Sequence, residues 1–486
     1  MNAGHGPAGR LVHWAAVTPD AVALHEPDGA TWTYRRLYET VRGCAFSLRG
    51  QGIGPGDVVC TATADPVAAR LLRWSANLAG AVDALLDPAL PTAELAARAG
   101  AVRAAAVLTG TDLAALVCVG RDGAPGSANA VAPTGPGTPA RVLFTTGSTG
   151  TARAVLQLAG QLDSAAASNV AGRGITGRDV LLCALPPHHA AGSLFEDSAL
   201  TVGGGLRLLP APGSAGLAAG LSAGPATVAT VVPALLAGLA DRAGGLTALN
   251  RLRLLNYAGE AIDAELLRQL LEVYRGRVTR GYGLTEAGPL VSILPDSAHR
   301  GATLPAPGDV GVPAPNVEVR VAPGTGELHV RSPHVMAGYL GDPVVTRERL
   351  RDGWLATGDI AEWRGGGLRL LGRLGNRIRS GGEWVSLDQV QRCLAEAPGV
   401  AGAAVVAIAH PRWGQRPVAF VAVRAGFAQE ELRARVAATL ARPSWPDRVH
   451  VLEELPRTGH GKLDHEAMRR MASCESSGDV VEFGTR

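Results

Sequence analysis

Apolar and polar positions alternate with two different periods along the first part of the chain. Arg35 to Leu48 has the apolar spacing of an amphipathic helix, and a glycine-rich turn then leads into the strand-like run Val58–Cys60. Further apolar runs are separated by helical or loop stretches, which is typical of parallel sheets covered by helices. These runs are 105–107, 141–144, 180–185, 227–232 and 253–257.

The pattern changes twice farther along the chain. Short alternating runs between 310 and 361 predict a β-rich subdomain. Beyond Gly372, helical periods at 387–395 and from Gln429 alternate with strand-like runs at 400–408 and 418–423, which predicts a compact α+β unit. The fold class is therefore predicted as α/β. A large N-terminal domain (1–372) combines parallel sheets and the β-rich subdomain, a small α+β domain (376–472) follows, and the polar tail 473–486 is expected to be disordered.

Composition excludes several classes of function. Hydrophobic residues make up 47% of the 486 residues and charged residues 18%, which excludes global disorder, and a net charge of +3 favours neither a nucleic-acid nor a membrane partner. Six dispersed cysteines form no CxxC pair and fit a reducing cytoplasm, as does an N-terminus without a signal-peptide stretch. Prolines and glycines interrupt the uncharged segment Leu208–Ala240, which is predicted as loops, short helices and buried strands rather than as a membrane span.

The segment from Leu143 to Arg153 places small hydroxyl residues and glycines directly after a strand and ends on a cation. Glycines let backbone N–H groups approach a phosphate, hydroxyls add donors, and the cation offsets negative charge. The Gly-Lys-Ser/Thr of a Walker A loop is missing. On its own the segment is equally compatible with an ordinary flexible loop. The candidate phosphate ligands are Thr145, Thr146, Gly147, Ser148, Thr149, Gly150 and Arg153.

Other segments follow this loop in an order that resembles the adenylate-forming superfamily, which includes acyl-CoA synthetases, nonribosomal-peptide adenylation domains and beetle luciferases. The resemblance covers nearly the whole chain. It is carried, besides the loop, by Pro186–Gly192 (PPHHAAG), Asn256–Glu260 (NYAGE), Gly281–Glu286 (GYGLTE), Tyr339 through Trp354–Asp359 (WLATGD), Gly372-Arg373 and Arg457–Lys462 (RTGHGK).

The resemblance implies an AMP-forming acid–thiol ligase. Such an enzyme uses ATP and Mg²⁺ to convert a small carboxylic acid to an acyl-adenylate, and then passes the acyl group to the thiol of coenzyme A or to a phosphopantetheine arm on an acyl carrier protein. The family's small domain is mobile and rotates about the hinge at Gly372-Arg373, so that Lys462 serves adenylation and the opposite face serves thioester formation.

The same resemblance implies the catalytic residues. Lys462 matches the lysine that bridges the attacking carboxylate and the phosphate, where negative charge develops. Glu286 matches the Mg²⁺ ligand, and Thr285 beside it an oxygen donor to phosphate. His189 matches a position near the carboxylate pocket and the thiol route, whereas His188 is predicted to be structural.

Nucleotide-binding roles are implied in the same way. Asp359 matches the acceptor of the ribose hydroxyl groups, Arg373 supports the same sugar, and Tyr282 offers a face on which adenine stacks. Taken singly, each residue has a simpler structural interpretation: Glu286 could cap a helix, Asp359 could lie in a turn and Lys462 could lie in a solvated loop. Their order in the chain favours function. Gly259, Glu260 and Gly283 complete the adenine-pocket segments.

The acid itself is only partly constrained. Amino-acid-activating relatives carry an Asp where this chain has Ala190, so an aryl, fatty or other simple acid is expected. Glu196 and Asp197 are predicted to lie in a solvated turn, with a cationic substrate as the alternative.

Two departures from the family keep other functions open. Ala152-Arg153-Ala154 replaces the usual Pro-Lys-Gly, and Gly375 stands where the hinge usually has Asp or Lys. The alternatives are an adenylation enzyme that loads a carrier protein or an amine, and a non-catalytic nucleotide-binding relative. The Gly220–Gly224 segment (GLSAG) matches a hydrolase nucleophile elbow, but it follows a helical stretch, which disfavours a serine hydrolase.

Overall fold

The structure is a computed structural model. The residues that it describes are 4–113, 116, 135–145, 152–380, 383–410, 413–424, 426–457, 463–473 and 480–482.

The chain divides into two compact units. The first comprises Met1–Arg320, His329–Thr357 and Trp363–Arg369. The second comprises Val321–Leu328, Gly358–Glu362 and Leu370–Arg486. Compared with the boundary predicted at 372–376, the second unit also takes in two short segments of the predicted β-rich region.

The described α-helices are numbered in chain order. They are α1 (Gly6–Val17), α2 (Tyr34–Gly50), α3 (Pro66–Ala79), α4 (Thr92–Ala101), α5 (Ala159–Arg173), α6 (Ala190–Val202), α7 (Gly213–Ser222), α8 (Pro233–Ala240), α9 (Ala264–Val273), α10 (Asp296–His299), α11 (Pro343–Arg349), α12 (Leu387–Ala395), α13 (Gln429–Thr439) and α14 (His465–Ser473).

The strands are numbered in the same way. They are β1 (Val22–His25), β2 (Thr31–Thr33), β3 (Val58–Thr61), β4 (Val82–Leu85), β5 (Ala106–Leu108), β6 (Pro139–Phe144), β7 (Ala154–Leu158), β8 (Val180–Leu182), β9 (Gly205–Arg207), β10 (Val228–Val231), β11 (Leu254–Ala258), β12 (Arg277–Tyr282), β13 (Ser292–Leu294), β14 (Asp309–Pro313), β15 (Glu318–Val321), β16 (Glu327–Arg331), β17 (Gly338–Tyr339), β18 (Leu350–Arg351), β19 (Trp354–Arg364), β20 (Gly367–Arg373), β21 (Arg377–Ser380), β22 (Glu383–Ser386), β23 (Val400–His410), β24 (Gly414–Val423), β25 (Arg448–Leu452) and β26 (Val480–Glu482).

Two sheets form the frame of the first unit. One runs in the order β14-β13-β12-β11-β10-β8-β9-β1-β2, and its strands from β12 to β1 are parallel to their neighbours. The other runs β17-β7-β6-β4-β3-β5, with β6, β4, β3 and β5 parallel. Helices cover these strands, so the predicted α/β class with parallel sheets is confirmed.

The second unit has a sheet of its own, in the order β22-β21-β24-β25-β26 with β23 on the other side of β24. Val390 of α12 and Leu432 of α13 pack on one face of this sheet, against Val421. Met468 of α14 packs on the opposite face, against Phe420. This α+β arrangement agrees with the prediction for the C-terminal part.

The tail corrects one expectation. Residues 473–486 are predicted to be disordered, but among the described residues of this tail Ser473 ends α14 and β26 pairs antiparallel with β25. The physical reason is that Val481 is fully buried in the core of the second unit, so this β-branched pair (Val480, Val481) covers a sheet edge that would otherwise stay open.

The uncharged segment Leu208–Ala240 contains α7, β10 and α8, as predicted. Among the described residues, no helix combines the length and the apolar character that crossing a bilayer requires.

A buried network of charges connects the two sheets of the first unit. Asp197 accepts from Arg73 Nη2 at 2.8 Å and from Arg141 Nη1 at 2.6 Å, Glu196 pairs with Arg70, and Asp83 Oδ2 lies 3.5 Å from Arg141 Nε. None of the six side chains is more than 6% exposed, and three cations balance three carboxylates. The members are Arg70 and Arg73 on α3, Asp83 on β4, Arg141 on β6, and Glu196 and Asp197 on α6.

The prediction that Glu196 and Asp197 lie in a solvated turn is therefore wrong. Both lie within α6 and are buried against arginines from α3 and β6. Their carboxylates are already paired, so neither is free to meet a cationic substrate.

We expect Asp197→Asn to lower the free energy of unfolding of the first unit by about 3–5 kcal/mol, because it leaves two arginines without their shared carboxylate in a buried site. Thermal and urea melts measure the change. Glu272→Gln is the matched control, since Glu272 forms an exposed pair with Arg268 and its loss should leave the melting curves close to the parental ones. Equal melting curves for the two variants would contradict a structural role for the network.

Candidate active site

The predicted site residues follow neighbouring parallel strands. β8, β10, β11 and β12 lie side by side and run in the same direction. His189 follows β8, Gly259 follows β11, and Tyr282 ends β12. Because open α/β sheets bind ligands beyond the carboxyl ends of their strands, the fold gathers these segments at one edge.

His189 is the N-terminal cap residue of α6. The turn before it is tightly built: the Ser193 hydroxyl donates to Pro187 O at 2.6 Å, and a side chain at Gly192 would come within 2.3 Å of Pro186 O. His188 lies beside His189 with ring centroids 4.6 Å apart and ring planes tilted by 53°, and burial together with His189 lowers the pKa of His188 to about 4. His188 is therefore neutral at pH 7, in keeping with a structural role.

Glu286 lies in a single helical turn, Thr285–Ala287, directly after β12. Its Oε1 accepts a hydrogen bond from the Tyr339 hydroxyl at 2.9 Å, and its backbone O accepts from Met336 N–H at 2.8 Å. Burial and the Glu286 charge raise the pKa of Tyr339, so the hydroxyl remains a donor at neutral pH. The carboxylate is thereby held in one orientation.

Arg153 belongs to the same group of side chains. Its guanidinium carbon lies 5.7 Å from the centroid of the Tyr339 ring, a cation–π distance. The cation at the end of the glycine-rich segment and the carboxylate of Glu286 are thus connected through one tyrosine.

The surroundings of Glu286 fit an Mg²⁺ ion that arrives with a nucleotide. Tyr339 engages one carboxylate oxygen, and the other is the kind of hard ligand that Mg²⁺ prefers. Among the described residues, no group of three or more His, Cys, Asp or Glu side chains could hold a metal ion. A single carboxylate matches the way in which Mg²⁺ is shared between proteins and phosphates.

The glycine-rich segment connects β6 to β7. Thr145 N–H donates to Arg153 O at 2.9 Å, and Arg153 N–H donates to the Thr145 hydroxyl at 3.4 Å. These bonds close the base of a hairpin. The predicted ligands Thr146, Gly147, Ser148, Thr149 and Gly150 lie outside the described residues.

The adenine-pocket segments are held by close backbone contacts. Val291 N–H donates to Tyr282 O at 2.8 Å, and a side chain at Gly283 would come within 2.1 Å of Pro289 O. Gly259 has a φ of +90°, which favours glycine, and Glu260 beside it is exposed. Tyr282 is therefore fixed at the end of its strand.

The second unit contains a separate pair. Arg373 Nε donates to Asp359 Oδ1 at 2.7 Å, with Asp359 buried and Arg373 largely exposed. Asp388 holds the adjoining segment, accepting from Arg373 N–H at 2.7 Å and from Asn376 Nδ2 at 2.9 Å. The two residues that the resemblance implies for ribose binding therefore contact each other. Lys462 lies outside the described residues, while Arg457 and Leu463 on either side of its loop form a β-bridge.

Sequence reasoning did not select Tyr339 as a site residue. Its only signal was its position at the start of the segment that leads to Asp359. Ser222 of the hydrolase-like segment ends α7 and donates to Ala218 O within that helix, so it does not stand on a strand-to-helix elbow.

Comparison with known proteins supports the resemblance along most of the chain. The model of the AMP-binding enzyme family matches residues 11–340, and that of the AMP-binding enzyme C-terminal domain matches residues 389–462. A feruloyl-CoA synthase from Amycolatopsis sp is 31% identical, covering 94% of this chain and 97% of its own length. A 2-succinylbenzoate–CoA ligase from Bacillus cereus is 28% identical over 95% of this chain and 98% of its own.

Solved structures agree in fold. ATP-bound MatB from Rhodopseudomonas palustris has a TM-score of 0.84 and 25% identity, covering 97% of this chain and 99% of its own. The o-succinylbenzoate CoA synthetase of Bacillus subtilis with its acyl-adenylate has a TM-score of 0.83 at 23% identity, with the same coverage. The predicted fold class and the enzyme class of an AMP-forming acid–thiol ligase are confirmed. The chain belongs to the AMP-binding enzyme family.

Proposed function

We propose that this protein activates an aryl or fatty carboxylic acid with ATP and Mg²⁺ and transfers the acyl group to coenzyme A. The observation that carries the proposal is the Arg153–Tyr339–Glu286 group, because it joins the end of a glycine-rich segment to an oriented carboxylate at the carboxyl edge of a parallel sheet. Relatives named for ferulate, long-chain fatty acids and 2-succinylbenzoate support the acid class and the CoA acceptor.

Two steps follow from this arrangement. A carboxylate oxygen of the acid attacks the α-phosphorus of ATP, the bond to the bridging oxygen breaks, and pyrophosphate leaves with the electron pair. The thiol sulfur of coenzyme A then attacks the carbonyl carbon, loses its proton, and expels AMP. Both partners of the first step are anions, so the site must orient them and neutralise their charge.

The proposed roles use the groups described above. Glu286, oriented by Tyr339, would hold the Mg²⁺ that accompanies ATP, with Thr285 as a donor to phosphate. Arg153 and the loop residues Thr145–Gly150 bind the β- and γ-phosphates. Lys462 neutralises the charge between carboxylate and α-phosphate, and His189 borders the acid. Gly259, Glu260, Tyr282 and Gly283 would enclose adenine, while Asp359 and Arg373 would hold the ribose.

Arginine in place of the usual lysine motivates a non-catalytic alternative. The contact of Arg153 with the Tyr339 ring argues against this alternative, because a planar guanidinium stacks on an aromatic face more readily than an ammonium group does. The cation is therefore engaged in the site.

The direct test is pyrophosphate release with ATP, Mg²⁺ and a panel of aryl, fatty and amino acids, with and without coenzyme A. A CoA thioester that forms only with one class of acid supports the proposal. Adenylate without thioester would indicate a carrier protein or an amine as the acceptor. Nucleotide binding without release for any acid would contradict the proposal.

We expect Glu286→Gln to lower acid-dependent pyrophosphate release by about 100-fold or more, because it removes the charge that holds Mg²⁺ against the phosphates. Tyr339→Phe should give a smaller loss and a weaker apparent Mg²⁺ affinity, since it only frees the carboxylate orientation. Glu265→Gln, which changes an exposed carboxylate on α9, is the control and should keep the parental rate. A parental rate for Glu286→Gln would contradict the assignment of Glu286 as the Mg²⁺ ligand.

We expect Lys462→Ala to nearly abolish adenylation while it leaves the fold and ATP binding largely intact. When the synthetic acyl-adenylate and coenzyme A are supplied instead, the variant should still form the thioester, because that step uses the other face of the mobile small domain. Full adenylation activity, or loss of both steps with a normal melting curve, would contradict the role given to Lys462.

A further inference from the structure

Arg173, the last residue of α5, is a buried cation in the first unit. Its side chain is 2% exposed. Its backbone O accepts a hydrogen bond from the Arg277 side chain at the beginning of β12, and from there the guanidinium reaches along the sheet toward Asn256 on β11.

The partners of this guanidinium are neutral. Nε and Nη2 donate to Asn256 Oδ1 at 3.2 and 2.9 Å, and Nη1 donates to Asn169 Oδ1 at 2.5 Å. The guanidinium carbon lies 5.5 Å from the centroid of the Phe195 ring. In the part of the chain that the structure describes, no carboxylate forms an ion pair with Arg173. Burial lowers its pKa to about 9, so it remains cationic at neutral pH.

A buried charge without a counter-ion is costly, and proteins normally pair such groups. An arginine has five N–H donors, and the three bonds to amide oxygens leave about two of them available. A carboxylate is the acceptor that fits the planar guanidinium best, because its two oxygens accept two parallel hydrogen bonds.

The guanidinium lies against the sheet, between Asn256 in the middle of β11 and Gly281 near the end of β12. A Cβ atom placed on Gly281 would stand only 2.8 Å from Arg173 Nη2, so glycine at this position leaves the space that the cation occupies. Gly281 is partly exposed and directly precedes Tyr282.

A small cavity lies next to this cation. Phe195 and Thr230 both line it, and the Thr230 hydroxyl accepts from Asn256 Nδ2 at 2.9 Å. Leu182, Leu185 and Gly192 supply an apolar wall, and Glu196 of the buried charge network also lines the cavity. At about 10 Å³ the cavity has room for one water molecule, so a substrate group that reaches the cation must displace these side chains.

We propose that Arg173 determines specificity by pairing with a second carboxylate of the substrate, so that the acid activated by this protein is a dicarboxylic acid. This inference rests on the proposed ligase function and narrows its acid. Only the carboxylate at the adenylation end reacts; the distal one keeps its charge and is held by Arg173. The alternative is a purely structural role, in which the same hydrogen bonds hold α5 against the sheet.

The test compares acids that differ only in the distal group. Each diacid, for example glutarate or terephthalate, is assayed beside its half-amide and the corresponding monoacid by pyrophosphate release. We expect the diacid to exceed its half-amide on the order of 100-fold in kcat/KM, as for a buried charge pair at an interface. The ratio between two acids is independent of the fraction of enzyme that is folded, so a merely structural role would not change it.

Arg173→Gln should abolish this ratio by lowering kcat/KM for the diacid, with little change for the half-amide, and Arg173→Lys should restore part of it. Arg280→Gln is the matched control. Arg280 precedes Gly281 on β12 and is 7% exposed, and its Nη1 donates to Pro307 O and Asp309 O. The variant should therefore affect stability and leave the ratio between the two acids unchanged.

Two outcomes would overturn the inference while the proposed function stands: a wild-type protein that activates monoacids or half-amides as well as diacids, or an Arg173→Gln variant with the parental ratio. Absence of pyrophosphate release with every acid would instead overturn the proposed ligase, and the inference with it.

Discussion

The buried network of three arginines and three carboxylates is the interaction on which the first unit depends. β4 and β6, which contribute Asp83 and Arg141, belong to one sheet, whereas α6, which contributes Glu196 and Asp197, packs against β8, β9 and β10 of the other. Each ion has lost its hydration, so each tolerates burial only while the opposite charges remain in place. The network therefore couples two sheets through charge balance and excludes other positions of α6.

The position of α6 in turn fixes the site. The helix begins at His189, and its second turn carries Phe195 immediately before the two network carboxylates. His189 thus stands at the carboxyl edge of the sheet, while Phe195 lies beside Arg173. A hydrophobic anchor would allow the helix to slide or rotate by small amounts, whereas directional ion pairs at 2.6–2.8 Å allow little movement.

Local patterns were sufficient where the physical cause is local. The helix predicted at 387–395 has those bounds because the Ser386 hydroxyl caps it by accepting from Gln389 N–H at 3.3 Å. The prediction for Glu196 and Asp197 failed because their partners on α3 and β6 come between 56 and 126 residues earlier in the chain. The role of Tyr339 was not predicted for the same reason, since its partner Glu286 lies 53 residues earlier in the chain. The order of family segments indicated the site, but distant pairing decided its geometry.

Charge balance also separates the two kinds of buried arginine in this unit. Arg70, Arg73 and Arg141 lie in a neutral cluster that is complete within the protein. Arg173 is buried as deeply beside the Phe195 ring, and among the described residues its guanidinium donates hydrogen bonds only to amide oxygens. The protein thus neutralises Arg70, Arg73 and Arg141 with its own carboxylates, whereas the described partners of Arg173 are neutral. Asn256 and Asn169 hold the guanidinium in position without neutralising it, which is what a binding site requires of a cation that must attract an anion from outside.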